Sequence, residues 1–133
     1  MKLVENEPQY YEFIRQLRNN EVVKNGFIQQ KHIDYLTHQN HMRKHGSSYY
    51  VCLIKGAPAG YVGQINDDIR VATHPDFQGK NTGTFMINEL MKMFPSSVAK
   101  VKVDNHASLK LFEKCGFKKK YYILEKINVA QPL

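Results

Sequence analysis

Apolar residues first recur at helical spacing over residues 7–18. Tyr10, Phe13, Ile14 and Leu17 form one stripe there, behind a Pro8 that suits a first helical turn. A loop through Asn19, Asn20 and Gly26 leads into "QQKHIDYLTHQNHMRKHG", a weakly amphipathic stretch that reads as a second helix stopped by Gly46. The pattern then changes. "YYVCLIKG" is a continuous apolar run, as expected of a strand covered on both faces. "GAPA" turns the chain, "GYVGQI" returns, "NDD" turns it again and "IRVAT" is a third strand, so the three form an antiparallel meander. Past "HPDFQGKNTGTFM" the helical period returns. Met86, Ile87, Leu90, Met91 and Phe94 fall on one side and Asn88, Glu89 and Lys92 on the other. Pro95 ends that helix at Phe94. "AKVKV" alternates Lys out and Val in, which predicts a strand. Asn105–Cys115 reads as a short helix with Leu111, Phe112 and Cys115 inward and Gly116 as its cap. "FKKKYYILEKI" reads as the last strand, and "NVAQPL" as a loose tail.

The order α, α, β, β, β, α, β, α, β implies a mixed α/β fold. The crossover from "IRVAT" to "AKVKV" makes a parallel pair beside the meander. Length and composition narrow the class. A chain of 133 residues is one domain by default, and 42% hydrophobic content supports a real core. No run approaches the ~18 apolar residues of a membrane span, and the start has no apolar run after Lys2 to suggest a secretory signal. Cys52 and Cys115 both sit among apolar residues and read as reduced thiols of a cytoplasmic protein; nothing supports a disulfide. Without paired CxxC motifs a structural zinc site is not expected. The net charge of +7 suits a polyanion, either nucleic acid or a phosphorylated cofactor. The run Lys118, Lys119 and Lys120 reads as a solvated strand end.

A strand, a tight loop with glycines and a helix N-terminus together make an anion-binding arrangement, because loop N–H groups point outward and the helix dipole adds about half a positive charge. Here the loop is Gln78-Gly79-Lys80-Asn81-Thr82-Gly83. No Gly-Lys-Ser/Thr closes it, so it is not a Walker motif. It follows the end of a meander, so it is not a Rossmann fingerprint. Taken alone, a plain turn with glycines explains it equally well. His38, His41 and His45 recur at helical spacing, but no Cys or acidic partner accompanies them, and a polar helix face is the better reading than a zinc site. Tyr10, Tyr11, Tyr49 and Tyr50 read as core or cleft wall, and His74 as a loop residue.

Two segments decide between these readings. "VATHPDFQGKNTGTFMINEL" and "VDNHASLKLFEKCGF" resemble, in order and on the expected elements, two motifs of the GNAT superfamily of acetyl-CoA-dependent N-acyltransferases. The first resembles the Val-x-Pro strand end with Gln/Arg-x-x-Gly-x-Gly/Ala. The second resembles Asn-x-x-(small)-x-x-x-Tyr-x-x-x-Gly-Phe, carried by Asn105, Ser108, Phe112, Gly116 and Phe117. The resemblance covers residues 61–120 well and residues 1–60 only in element order. It implies a mixed sheet with helices on both faces. It also implies one acyltransferase domain over 1–133, divided into acceptor-side helices (1–48), an acetyl-CoA-binding core (49–127) and a tail (128–133). The backbone of Val71 and Thr73 would pair with the pantetheine arm of acetyl-CoA. The loop from Gln78 through Gly79, Lys80, Asn81, Thr82 and Gly83 to Thr84 would wrap the pyrophosphate. Asn105 would bond the pantetheine region, with Ser108 and Phe112 beside it, and Lys80, Lys114 and Lys118 are candidates for the outer phosphates.

Two positions depart from the pattern. Asn81 stands where a glycine is usual, and Asn is the non-glycine residue that best tolerates positive φ. Phe112 stands where many members carry the tyrosine that protonates the leaving thiolate. Ser108, Tyr121 or Tyr122 could supply that proton, or the chemistry has been lost. The reaction would be direct attack of a primary amine on the thioester. Asp67, at the start of the last meander strand, is the catalytic base candidate, with a plain "NDD" turn as its equal alternative. Asp68 faces the other side and reads as a turn residue, and His41 is a remote candidate. The acceptor would be an amino sugar nucleotide, a protein or peptide, or a small amine. The charge favours an acidic acceptor over a polyamine. The protein would act as a monomer or homodimer, with no metal and no membrane. Two other readings remain: a catalytically silent acyl-CoA-binding module, and a small basic nucleic-acid-binding domain. Against the latter, aromatics and basic residues do not interleave on one strand face.

Overall fold

A computed structural model describes residues 1–127. Four strands form one sheet in the order β1-β2-β3-β4, each pair antiparallel: β1 (Lys2–Glu5), β2 (Tyr49–Ile54), β3 (Ala57–Ile65) and β4 (Asp68–Thr73). The meander β2-β3-β4 is the one that three short runs joined by two tight turns predict. The extra strand β1 is four residues long and half-exposed, too short to carry a period of its own. The helices are α1 (Pro8–Asn19), α2 (Glu21–Lys24), α3 (Tyr35–His45), α4 (Thr82–Met93) and α5 (His106–Lys114). None is long and apolar enough to cross a membrane among the described residues.

The sheet is covered on both sides, which explains the unbroken apolar run of β2. Val51 and Leu53 point into one core with Ile14 and Leu17 of α1 and Met42 of α3. Cys52 points into the other with Met86, Ile87 and Leu90 of α4 and Phe112 of α5. Ile14, Ile87 and Leu90 are fully buried, and each such side chain contributes about 1.5–3 kcal/mol of burial free energy.

Two expected strands are not formed. The parallel pair reduces to a single bridge between Asp68 and Val98, held by Ile69 N–H to Val98 O at 3.0 Å and Val98 N–H to Asp67 O at 2.7 Å. Past Val98 the chain leaves β4. Val101 still packs on the α4 core, but Val103 is 91% exposed, so the Lys/Val alternation does not correspond to a sheet face. Residues 117–127 likewise make no ladder, and Tyr122 and Leu124 are exposed. Alternation tells which face a strand would present; it does not supply the neighbouring edge that a ladder needs. The expected tail at 128–133 lies outside the described residues.

Candidate active site

Departure of the chain from β4 after Val98 opens a cleft of about 1070 Å³. One end is built by the loop between β4 and α4. A 3-10 turn at Pro75–Phe77 starts it, and Thr82, buried, ties it down by donating its hydroxyl to Phe77 O at 3.1 Å. Gly79 has φ of 78° and Asn81, the N-cap of α4, φ of 62°. Asn81 therefore occupies the left-handed region, the conformation that asparagine accepts at least cost after glycine. Its side chain does not cap the helix. Its Oδ1 instead accepts from Lys114 Nζ at 2.9 Å. The first-turn N–H groups of α4, at Thr82, Gly83 and Thr84, thus have no capping side chain, and with the positive end of the helix dipole behind them they are able to receive an anion. Gly83 packs closely on α5: a Cβ there would meet Leu111 Cδ2 at 2.9 Å, so a larger residue would have to displace the end of that leucine side chain. Lys80 lies over the Phe77 ring at 5.5 Å from its centroid. Lys118 is exposed and is not among the residues lining the cleft.

The floor of the cleft is the free edge of β4. Ile69 N–H points outward to Val98 and His74 N–H inward to Ala59 O at 2.8 Å. Alternation therefore turns the N–H groups of Val71 and Thr73 outward, beyond the single bridge, where an extended ligand can pair with them. Opposite stands Asn105, N-cap of α5. Its Oδ1 accepts from Ser108 N–H at 3.1 Å and its Nδ2 donates to Gly26 O at 3.1 Å. Asn105 thus ties the α2–α3 loop across the cleft, and Lys102 Nζ donates to Asn25 O of the same loop at 3.3 Å. Ser108 and buried Phe112 line the wall, with the Phe112 ring edge-on to Phe117 at 5.1 Å.

The other end lies on the α1/α3 side of the sheet. Its floor carries Asp68 and Arg70, with Tyr49, Tyr61 and Arg18 around them. The Tyr49 hydroxyl is 2.8 Å from His41 Nε2. Burial pulls His41 down to about 4, helped by the charge of Arg18, so this imidazole is neutral at pH 7. Desolvation also pushes the Tyr49 phenol up. His38 is fully buried and neutral, its pKa lowered by desolvation. Of the three histidines expected on a polar face, His38 is therefore a core residue.

The sequence-predicted site residues divide. The loop from Gln78 to Thr84, apart from Lys80, lines the cleft with Val71, Thr73, Asn105, Ser108, Phe112 and Lys114. Asp67 does not. The expectation that it begins the strand is corrected: it sits in the turn at φ 66°, exposed, with its N–H on Gln64 Oε1, because two left-handed residues, Asn66 and Asp67, make the tight β3–β4 reversal. Asp68 opens β4 and reaches the cleft, its Oδ2 3.4 Å from Arg70 Nε. Tyr121 and Tyr122 are about 80% exposed and are not among the lining residues. Sequence reasoning missed the Tyr49–His41 contact and the placement of Arg18, Asp68 and Arg70 in the cleft. The period-2 pairing of Asp68 with Arg70 was the one available signal.

The pattern describing the Acetyltransferase (GNAT) family matches residues 10–117. A search of curated proteins finds no match. Among solved structures, the fold is similar to spermidine N-acetyltransferase from Vibrio cholerae in complex with CoA and spermine, at 20% identity over 96% of this chain and 86% of that one, TM-score 0.76. It is also similar to ribosomal-protein-alanine N-acetyltransferase from Brucella melitensis, at 14% identity over 89% and 85%, TM-score 0.75. A Salmonella typhimurium protein solved with its cofactor acetyl-CoA matches at 19% identity over 88% and 79%, TM-score 0.71. With the family pattern spanning both helices and meander, and the helix-terminus loop and splayed edge where its motifs fall, the chain belongs to the GNAT family of acetyltransferases.

Proposed function

We propose that the protein transfers an acetyl group from acetyl-CoA to a primary amine. The observation that carries this reading is the uncapped N-terminus of α4, set behind the positive-φ residues Gly79 and Asn81 at one end of a cleft whose other end holds Tyr49 and Asp68. The residues fit the cosubstrate. A Cβ at Gly79 would have nothing within 4 Å, so the loop leaves open space for a pyrophosphate against its N–H groups. When bound, acetyl-CoA supplies an acyl group on a thiol whose pKa is near ~8.5, a leaving group that needs little protonation.

The chain's own residues do the rest. The loop from Gln78 to Thr84 and the α4 N-terminus bind the pyrophosphate, and Lys80 and Lys114 reach the outer phosphates. The outward N–H groups of Val71 and Thr73 hold the pantetheine arm and offer a donor to the carbonyl oxygen as charge develops there. The amine nitrogen attacks the carbonyl carbon; the N–C bond forms, the C–S bond breaks and the thiolate leaves. Asp68 takes the proton the amine sheds, or the Tyr49 hydroxyl relays it, passing its own proton to neutral His41 as it accepts the amine's. Ser108, on the cleft wall, carries a hydroxyl that could give a proton to sulfur.

Phe112 favours a second reading. It occupies the cleft wall without a hydroxyl, which suits a module that binds acyl-CoA without turning it over. A thermal-shift titration with acetyl-CoA followed by thiol release over an amine panel separates the two. Stabilisation with release supports the transferase, stabilisation without release the silent module, and no stabilisation refutes both. Because both cysteines are free and acetyl-CoA is an intracellular metabolite, we place the protein in the cytoplasm.

A further inference from the structure

The α1/α3 end of the cleft carries two guanidinium groups that the transfer chemistry leaves unused. Arg18, on the last turn of α1, lines the cleft, and among the described residues it makes no ion pair. Its one polar contact is Nη1 to His38 Nδ1 at 3.3 Å. The other ring nitrogen, His38 Nε2, lies 2.8 Å from Tyr11 O. A carbonyl oxygen only accepts, so Nε2 carries the proton and Nδ1 accepts from Arg18. A neutral, fully buried imidazole therefore holds the guanidinium in place without cancelling its charge.

Arg70 lines the same end from β4, three residues before Thr73, which is roughly 10 Å along a strand and further still from the α4 N-terminus. Its Nε is buried without a hydrogen bond, the Asp68 carboxylate standing 3.4 Å away. Lys31 adds a third positive side chain to the lining. The carboxylates opposing them are Asp68, already facing Arg70, and Asp34, whose Oδ1 accepts from Thr37 N–H at 2.7 Å as the cap of α3. Planar forks of this kind match carboxylate and phosphate oxygens, and a cationic chain would meet their repulsion.

Resting on the acetyl-transfer reading above, we propose that the acceptor is a small amine bearing its own carboxylate or phosphate, which Arg18 and Arg70 grip so that the amine lies against Tyr49 and the thioester. The two arginines select for the anionic group and against polyamines.

The test is a set of matched acceptors: phosphoethanolamine against ethanolamine, glucosamine 6-phosphate against glucosamine, β-alanine against propylamine, with spermidine alongside. The first two pairs probe phosphate and the third carboxylate. We expect at least one anionic member to exceed its neutral partner tenfold or more in kcat/KM, with spermidine lowest. Arg18→Gln should abolish that preference through KM and leave stabilisation by acetyl-CoA unchanged. Arg18→Lys, which keeps charge but loses the fork, should retain part of the preference and serves if the glutamine variant does not fold. Preference for neutral amines or spermidine overturns the inference, as does a preference that survives Arg18→Gln. Stabilisation by acetyl-CoA with turnover but no anionic preference overturns this inference alone; absence of both stabilisation and turnover overturns the transferase reading with it.

Discussion

Substitution at Asn81 separates backbone conformation from side-chain chemistry in the loop before α4. Asn81 holds φ at 62° and ψ at 19° while its Oδ1 meets Lys114 Nζ at 2.9 Å across an exposed gap. Asn81→Gly keeps the left-handed turn and loses only an exposed polar contact and some chain stiffness, a change of about 0.5–1 kcal/mol in stability. Asn81→Val places a β-branched residue in the same turn, at a cost of roughly 1–2 kcal/mol. If the turn stays left-handed, that cost appears in the unfolding free energy. If it relaxes to negative φ, the N–H groups of the cradle swing away and the cost appears as an acetyl-CoA Kd weaker by about 5–30-fold. Urea unfolding and calorimetric titration on the three proteins measure both quantities. The sum of the two losses should be about 1–2 kcal/mol for Val, and the glycine variant should bind acetyl-CoA as tightly as the parent. A valine variant with parental stability and parental Kd would refute the claim that the αL turn at Asn81 shapes the cradle.

Acid sensitivity should come from the buried histidines. His41 is drawn from an ordinary 6.5 to about 4, so the unfolded chain binds its proton first as pH falls. The stability it contributes is complete above pH 6.5 and is lost as pH drops toward 4, by roughly 2–3 kcal/mol; His41→Gln should flatten the fall in urea-unfolding free energy between pH 7 and 4.5. Asp68→Asn should lower kcat without changing acetyl-CoA affinity, whereas Asp67→Asn, out in the turn, should leave both unchanged in steady-state kinetics. Phe112→Tyr should raise kcat several-fold, less than the ~10²–10⁴ of a typical general acid, since a thiolate is already a competent leaving group; an unchanged rate of thiol release would show that sulfur protonation does not limit turnover.

The chain discloses its fold where a period and its partner are both local. The meander is legible because β2, β3 and β4 are joined by two tight turns and each finds its neighbour within a few residues. The helix α4 is legible because Met86, Ile87 and Leu90 repeat at helical spacing and pack where that stripe points. "AKVKV" and "FKKKYYILEKI" mislead for the converse reason. Their alternation is genuine, but a ladder also requires an edge, and past Val98 none is engaged. The loop end of the cleft comes from two short segments, residues 71–84 and 105–114, each contiguous in sequence, so it is legible once both are read together. The acceptor end is not. Arg18, His41, Tyr49 and Asp68 come from α1, α3, β2 and β4, and only packing of α1 and α3 on the sheet brings them together. The one-residue difference between Asp67 and Asp68 shows the limit: where the turn ends decides which carboxylate enters the cleft, and two adjacent left-handed residues are not visible in "NDD".

On the proposed reading, the N–H groups of the β4–α4 loop and the α4 N-terminus bind the pyrophosphate of acetyl-CoA. Amide chemical shifts recorded during titration with CoA test it directly. The largest changes should fall on Gly79, Lys80, Asn81, Thr82, Gly83 and Thr84, followed by Val71 and Thr73 on the free edge of β4. Saturable binding whose shifts leave Gly79–Thr84 untouched, or no binding at millimolar CoA, would contradict it.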